Sequence, residues 1–516
     1  MTFTEDVVEA ILSGKVSDRD ALQRLKAELC GKYSLSRTPS NAEILAQVPE
    51  EVRERIEPML RLKPVRSLSG VSVVAVMASP AACPHGRCIY CPGGPEKGTA
   101  QSYTGYEPAA RRAAANEFDP YRQVRNRLDQ LRAVGHPIDK IDMIIMGGTF
   151  PARDKEYQRD FVKRCFDALN GVESGTLAEA HLLNETAGSR CIGLTIETRP
   201  DQFSDQQIDF LMGLGMTRVE LGVQTTKEHI LSGLERGHSV GDSVAATERA
   251  KKHGIKVCYH VMPGLPGSDI DTDIEVFREI FEDERFRPDM LKIYPTLVIE
   301  GTKLYEMWKK GEYTPPDTEY IVDLLVAVKR FVPEWVRIQR IQRDIPVPQI
   351  AAGAIKSHAR QIASERLREL GLRCRCIRCR EIGRMPGLPP IEETRTKEIE
   401  YEASNGVEKF IEIEHPESDA LIGFARLRID TDGEIKTFLR ELRVYGQQVP
   451  IDDRLPDAMQ HKGLGRTLLE ECERISRDSG SRELRVTSGV GVRDYYRKFG
   501  YEFDGRYMSR RFSSSN

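Results

Sequence analysis

Three cysteines fall within nine positions in "CPHGRCIYCPGG", residues 83–94, at Cys-x4-Cys-x2-Cys spacing. Thiolates at Cys83, Cys88 and Cys91 can ligate three irons of a 4Fe–4S cluster and leave the fourth iron open, which a reactive cluster needs. Zinc is the rival, but a structural zinc takes four protein ligands, and His85 lies so close to Cys83 that joint ligation would be strained. A second triad, Cys374, Cys376 and Cys379 in "CRCIRC", is tighter. Three soft thiolates suit zinc there, with a fourth ligand from elsewhere and His358 as a candidate. A third feature is Gln460-x-x-Gly463-x-Gly465, opening a helix whose Leu464, Leu468, Leu469, Cys472 and Ile475 share one face. Glycines at a helix start let backbone N–H groups approach a pyrophosphate. A plain helix start explains that motif equally well.

These residues need elements to hold them. A chain of 516 residues suggests two or three domains. No run of about 18 apolar residues is present, so no membrane span is expected. The acidic, helix-patterned N-terminus lacks a signal peptide's regions, which makes the cytoplasm the expected compartment and metal binding the expected use of clustered cysteines. Cys30, Cys165, Cys191, Cys258 and Cys472 stand alone in apolar or helical contexts and read as core.

Residues 1–70 pattern as helices. From residue 71 six short β-rich runs, "VSVVAVMA", "IDMIIMG", "CIGLTIE", "TRVELGV", "KVCYHVM" and "DMLKIYP", each precede a loop and a helical stretch. That rhythm predicts a parallel α/β sheet, open or closed, over residues 71–344, with ligands at the C-terminal strand ends. Those ends carry Gly147-Gly148-Thr149, Glu197, Gln224, the "PGLPG" turn, Lys292 and Tyr294. Residues 345–392 form a basic connecting segment: thirteen Lys or Arg stand against five Asp or Glu between 330 and 384. In a chain of net charge −3 that concentration favours a polyanionic partner. Residues 393–516 alternate strands with one strong helix and read as an α+β domain.

The cysteine triad after the first strand, Tyr90 before its last member and Gly147-Gly148 after the second strand resemble radical S-adenosylmethionine (SAM) enzymes. That resemblance implies a partial (β/α)6 TIM-like barrel, a 4Fe–4S cluster on Cys83, Cys88 and Cys91, Tyr90 on the adenine side and Gly147-Gly148 near the methionine amino group. Thr149 stands where many members carry Glu. "QHKGLGRTLLEECERI", with a strand before it and "GVGVRDYYRKFGYE" after, resembles a GNAT-type acetyltransferase, implying acetyl-CoA, with Tyr495 or Tyr496 near its sulfur.

Together, from about residue 60 to 510, the chain resembles the transfer-RNA acetyltransferase family of the Elongator catalytic subunit, on its archaeal or bacterial branch. The stretches that carry this include "QSYTGYEP", "IGLTIETRPD", "ELGVQT", "RGH", "PGLPGS" and "KIYPTLVI". The resemblance implies that a deoxyadenosyl radical takes hydrogen from the acetyl methyl, and that the resulting carbon adds to C5 of the wobble uridine, position 34, leaving 5-carboxymethyluridine. It places acetyl-CoA contacts at Lys140, at Glu441-Leu442-Arg443-Val444, at Leu464-Gly465-Arg466 and at Tyr496; Arg443 stands where the family commonly has His. Gln460 and Gly463 belong to the same loop. Lys292 and Tyr294 are candidates for positioning the uridine.

Arg337, Arg340, Arg343, Lys356, Arg360, Arg373, Arg375 and Arg378, with Arg61, Lys63 and Arg66, are candidates for gripping the anticodon arm, and zinc would orient the arginines of the connecting segment. The chemistry also calls for an outside electron donor, and association between copies stays open. The alternative is a protein lysine acetyltransferase with a merely structural cluster, whose activity would survive Cys88→Ser.

Overall fold

The computed structural model describes residues 2–63, 69–356, 358–385, 393–446 and 463–512. All six β-rich runs are strands: β1 (Ser72–Met77), β2 (Lys140–Met146), β3 (Arg190–Thr198), β4 (Arg218–Gln224), β5 (Lys256–Val261) and β6 (Met290–Ile293). They pair in parallel in chain order, and β7 (Arg337–Ile341) adds a seventh parallel strand beside β6. Parallel strands are covered on both faces, so their sequences run apolar almost without break; every residue of β4 is buried. The expected count of six was one short. β7 lies at the sheet edge, and its "RIQRI" run mixes polar with apolar residues because Gln339, Arg340 and Ile341 are only half-buried. β1 and β7 are the two edges, so the barrel is partial.

Local signals delimit the outer helices. Asp154 caps the helix Lys155–Asn170, and Gly171, at φ +76°, ends it in the left-handed conformation. That helix buries Phe161, Val162, Cys165 and Phe166 in the barrel core. Cys165, Cys191, Cys258 and Cys472 are buried as expected, and Cys30 is half-buried. The N-terminal helices Phe3–Leu12, Arg19–Lys32 and Glu50–Leu60 enclose a separate small core. No described helix is long and apolar enough to cross a membrane.

The second sheet contains β8 (Arg395–Ala403), β9 (Gly406–His415), β10 (Ala420–Asp430), β11 (Lys436–Val444), β12 (Glu483–Val486), β13 (Glu502–Phe503) and β14 (Met508–Arg511). Its order is β13-β14-β12-β11-β10-β9-β8, antiparallel except for the β11–β12 pair.

The two sheets meet at the N-terminal ends of the barrel strands. Arg440 of β11 reaches Asp289, just before β6, at 2.6 and 2.8 Å, and Glu408 of β9 at 2.8 Å. The Thr487 hydroxyl donates to the Gly254 carbonyl, and a Cβ on Gly489 would lie 2.2 Å from the Ile192 carbonyl oxygen. Lys251 joins this interface, its Nζ 3.4 Å from Glu408 and its side chain wholly buried. Burial pushes its ammonium down to about 8, against the pull of Glu408. Between that value and the ordinary lysine value of 10.5 the unfolded chain binds more protons than the folded one, so this group makes stability rise with pH across the window. Lys251→Met should lack that rise. Thermal midpoints of both proteins at about pH 8 and about pH 10 measure it, and parallel pH slopes would remove Lys251 as the source.

The basic connecting segment is woven into the fold. Its helix Ala359–Glu369 packs on the helix Thr318–Phe331. Arg337 is buried, pairs with Glu381 at 3.0 Å and donates to the Tyr445 hydroxyl at 2.7 Å. Arg375 pairs with Glu334 and Asp419, and Arg360 donates to the Ile338 carbonyl. Arg337 therefore drops out as a phosphate contact, because its guanidinium is spent inside the protein. Arg61 is half-buried with Nε on the Gly135 carbonyl, Lys63 is exposed, and Arg66 lies outside the described residues.

Candidate active site

The loop after β1 brings its cysteines over the C-terminal strand ends, where all three are buried. Each sulfur has a polar neighbour. Thr149 Oγ1 lies 3.4 Å from Cys83, His85 Nε2 lies 3.2 Å from Cys88, and the Ser102 backbone N–H donates to Cys91 at 3.2 Å. Donors aimed at sulfur suit thiolate ligands. Cys374, Cys376 and Cys379 bring their sulfurs within 4.8 Å of one another; Cys83, Cys88 and Cys91 do not form so close a set. Zinc–sulfur bonds of about 2.3 Å hold tetrahedral ligands roughly 4 Å apart. The close triad thus fits one ion, and the wider one fits a cluster with its irons at separate corners.

Gly147 and Gly148 follow β2 with φ of +134° and +78°. A Cβ on Gly148 would stand 3.0 Å from that of Gln101 and 3.6 Å from Cys83 Sγ, so both the backbone and the close approach call for glycine. Tyr90 is buried, and its hydroxyl accepts a 3.0 Å bond from Arg236.

A cavity of about 460 Å³ opens below this loop, lined by the cysteines, Tyr90, Gly148, Thr149 and a set of charged residues at the strand ends. Register places Glu197 of β3 level with Glu220 of β4, and His260 of β5 level with Lys292 of β6. Lys292 forms an ion pair with Glu220 and lies 3.7 Å from Glu197. His260 Nε2 is 2.8 Å from Glu220, and the Tyr103 hydroxyl donates to Glu197 at 2.7 Å. Tyr294 meets His260 edge to face, with centroids 5.2 Å apart. Burial alone would lower the Lys292 ammonium, but Glu220, then Tyr294 and Glu197, hold it above its usual value. Burial would likewise raise Glu220, but Lys292 and His260 hold it well below the carboxylate range. Arg340 and Arg343 line the same cavity, Arg340 paired with Asp344 and Arg343 donating to the Ser102 carbonyl at 2.6 Å.

The structure thus brings together the predicted Lys292, Tyr294, Tyr90 and Gly148. Glu220, His260, Tyr103 and Arg236 escaped sequence reasoning. A single charge inside an apolar strand run, as in "VELGV", was the available signal for Glu220.

Cys374, Cys376 and Cys379 sit beside the Thr318–Phe331 helix, whose Lys329 Nζ lies 3.4 Å from Cys379 Sγ. Among the described residues no fourth His, Cys, Asp or Glu joins this set. His358 is exposed at the start of the neighbouring helix and is not the fourth ligand here.

The acyl-site candidates gather in the second sheet. β11 pairs with β12 only through Leu439, then runs on to Val444 alongside β10 alone, so Arg440 to Val444 diverge from β12. Glu441 accepts from Arg426 at 3.0 Å, and Arg443 donates to the Ser69 carbonyl at 3.4 Å. Gly463, at φ +88°, precedes the helix Leu464–Asp478 with no side-chain cap; the Arg466 N–H donates to the Gly463 carbonyl at 2.8 Å, and the N–H groups of Leu464 and Gly465 have no acceptor among the described residues. Gln460 lies outside the described residues. Lys140 begins β2, at the barrel end that faces β11. Tyr496 is buried against Tyr495 and Tyr501, and burial raises its phenol. It is the Tyr495 hydroxyl that sits at the helix start, 2.8 Å from where a Gly465 Cβ would be. Gly465→Ala should therefore weaken acetyl-CoA binding about tenfold, or roughly 1.4 kcal/mol, by calorimetry. Unchanged affinity would place the ligand elsewhere.

Four family models match: the ELP3 N-terminal domain over residues 1–68, the radical SAM superfamily over 79–280, the radical SAM C-terminal domain over 288–369 and the acetyltransferase (GNAT) family over 381–501. Fold and site together define a radical SAM half-barrel joined to a GNAT acetyltransferase, modules that work with a 4Fe–4S cluster, SAM and acetyl-CoA. A tRNA uridine(34) acetyltransferase of Methanocaldococcus jannaschii is 48% identical over 98% of this chain and 96% of its own length. Elongator complex protein 3 of Drosophila melanogaster is 42% identical over 99% and 96%. The structure of an N-terminally deleted Methanocaldococcus infernus Elp3 overlays with TM-score 0.76 at 45% identity, covering 86% of this chain and 100% of that one. The chain belongs to the tRNA uridine(34) acetyltransferase and Elongator complex protein 3 family.

Proposed function

We propose that this protein carboxymethylates C5 of the wobble uridine of transfer RNA, taking the added carbons from acetyl-CoA. One observation carries the proposal. A single cavity is lined both by the three cysteines and by a buried ionic set, and the second sheet lies against the opposite ends of the same strands. Cys83, Cys88 and Cys91 would hold the cluster, which with SAM would supply a carbon radical for a C–H bond that acid–base chemistry cannot break. Tyr90, Gly147 and Gly148 frame SAM. Lys292 and Tyr294 orient the uracil, the ammonium toward a ring carbonyl and the phenol ring at its face. Glu220 and Glu197 hold Lys292 charged and in place for that task.

Lys140, Glu441 to Val444, and Gly463 to Arg466 with Gln460 hold acetyl-CoA. Tyr496, kept protonated by burial, gives its proton to the departing thiolate, which leaves as the thiol. Cys374, Cys376 and Cys379 bind zinc, which ties the connecting segment to the Thr318–Phe331 helix. Arg340 and Arg343 at the cavity, with the exposed Lys356 and Arg373, contact the anticodon arm of a cytoplasmic transfer RNA. The working units are residues 1–70, 71–344, 345–392 and 393–516, and an external reductant supplies the electron.

The test is anaerobic reconstitution with transfer RNA, SAM, reductant and acetyl-CoA, followed by nucleoside mass spectrometry. 5-Carboxymethyluridine at position 34 is the expected product. Its absence from protein with a full cluster would end the proposal.

A further inference from the structure

The "RGH" turn, residues 236–238, lies outside the barrel strands yet closes over the cysteine loop. Arg236 is buried, and its guanidinium is held at three points. Nε and Nη2 donate to the Gly222 carbonyl at 3.2 and 2.6 Å, and Nη1 donates to the Tyr90 hydroxyl at 3.0 Å. The same Nη1 lies 3.8 Å from Cys88 Sγ. Gly222 exists for this side chain, since a Cβ there would stand 2.2 Å from Nη2. Among the described residues no carboxylate pairs with Arg236; the groups that act on it are the Tyr90 phenol, which burial keeps protonated, and Cys88. An unpaired buried cation costs several kcal/mol, which requires an anion at the site.

His85 reaches the same sulfur, with Nε2 at 3.2 Å. A thiolate only accepts, so Nε2 carries the proton, and Nδ1 is buried without a partner among the described residues. Gly237, at φ +67°, lets the turn press on this ring: a Cβ there would be 2.9 Å from His85 Cβ. Thr149 Oγ1 is the hydrogen-bond neighbour of Cys83, where the Arg199 charge acts without a hydrogen bond, and the Ser102 amide and hydroxyl lie beside Cys91; at Cys88 both a ring N–H and a guanidinium come within hydrogen-bonding reach of the sulfur.

We propose that Arg236 and His85 are positioning residues that act on Cys88 to raise the reduction potential of the cluster, so that its one-electron reduction falls within reach of a low-potential donor. Reduction adds one negative charge to the cluster and breaks no bond. A fixed cation and N–H donors at a ligand sulfur stabilise that added charge. The inference rests on the cysteines holding a 4Fe–4S cluster.

The test is a potentiometric titration of the reconstituted protein without SAM, using dithionite and mediators and reading the reduced cluster by electron paramagnetic resonance. Leaving SAM out keeps any change in its binding from moving the result. Arg236→Gln should lower the reduced-to-oxidised ratio at a fixed solution potential at least tenfold, about 59 mV for one electron. Arg236→Lys should recover most of it, and His85→Leu should lower it by a smaller step. Wild-type potentials in Arg236→Gln and His85→Leu would overturn the proposal. If Arg236→Gln takes up too little iron to titrate, His85→Leu decides alone. Wild-type protein that takes up no iron and sulfide would instead overturn the cluster assignment beneath it.

Discussion

Lys292→Met should abolish uridine modification, by about a hundredfold or more, and also lower thermal stability. Lys292 is the cation beside two carboxylates, Glu220 with its side chain wholly buried and Glu197 nearly so. Removing it leaves buried negative charge uncompensated, which costs about 3–5 kcal/mol. A paired change separates the two effects. Lys292→Met with Glu220→Gln removes both charges of the closer pair and leaves only Glu197, so the thermal midpoint should recover in large part while modification stays lost. If the double variant regains activity along with stability, Lys292 is a structural cation and has no part in holding uracil. His260 stays in place in both variants, so the strand ends remain filled.

Arg440→Met should be the most destabilising single substitution at the junction of the two sheets. Arg440 and Asp289 are wholly buried, and Glu408 is 1% exposed. Their bonds join β11 to the entry of β6, so a loss of about 3–5 kcal/mol would loosen the acetyltransferase sheet from the barrel. Burial alone would raise the Asp289 carboxyl, but Arg440, then Lys251 and Arg426, hold it far below the usual aspartate value of 3.8. The stability from this group is therefore fully present above that value and is lost as pH falls below it. Arg440→Met should flatten that acid dependence as well as lower the thermal midpoint at neutral pH. A change in midpoint below about 2 °C would show that the junction rests on its apolar contacts.

Several parts were legible because they are local. Cys-x4-Cys-x2-Cys after a β-run, glycines after the next run, and a Gly-x-Gly helix start are short-range patterns that chemistry constrains directly. The six apolar runs were equally plain, because strands covered on both faces must be apolar. β7 escaped because an edge strand does not have to be. Arg337 misled for a related reason. Charge count along a chain does not show which guanidiniums are spent inside it, and Arg337 binds Glu381 and Tyr445.

The sequence by itself determined the two modules, the grouping of the cysteines into two triads and the glycines that allow close approach, since spacing and backbone freedom are properties of a few neighbouring residues. Only the tertiary structure decided which side chains share the cavity. Glu197, Glu220, His260 and Lys292 come from four separate strands and meet through parallel register. It also decided that Arg236 and His85, about 150 residues apart in sequence, both face Cys88. A buried charge is stable only beside its partner, and the chain order does not say where that partner will be.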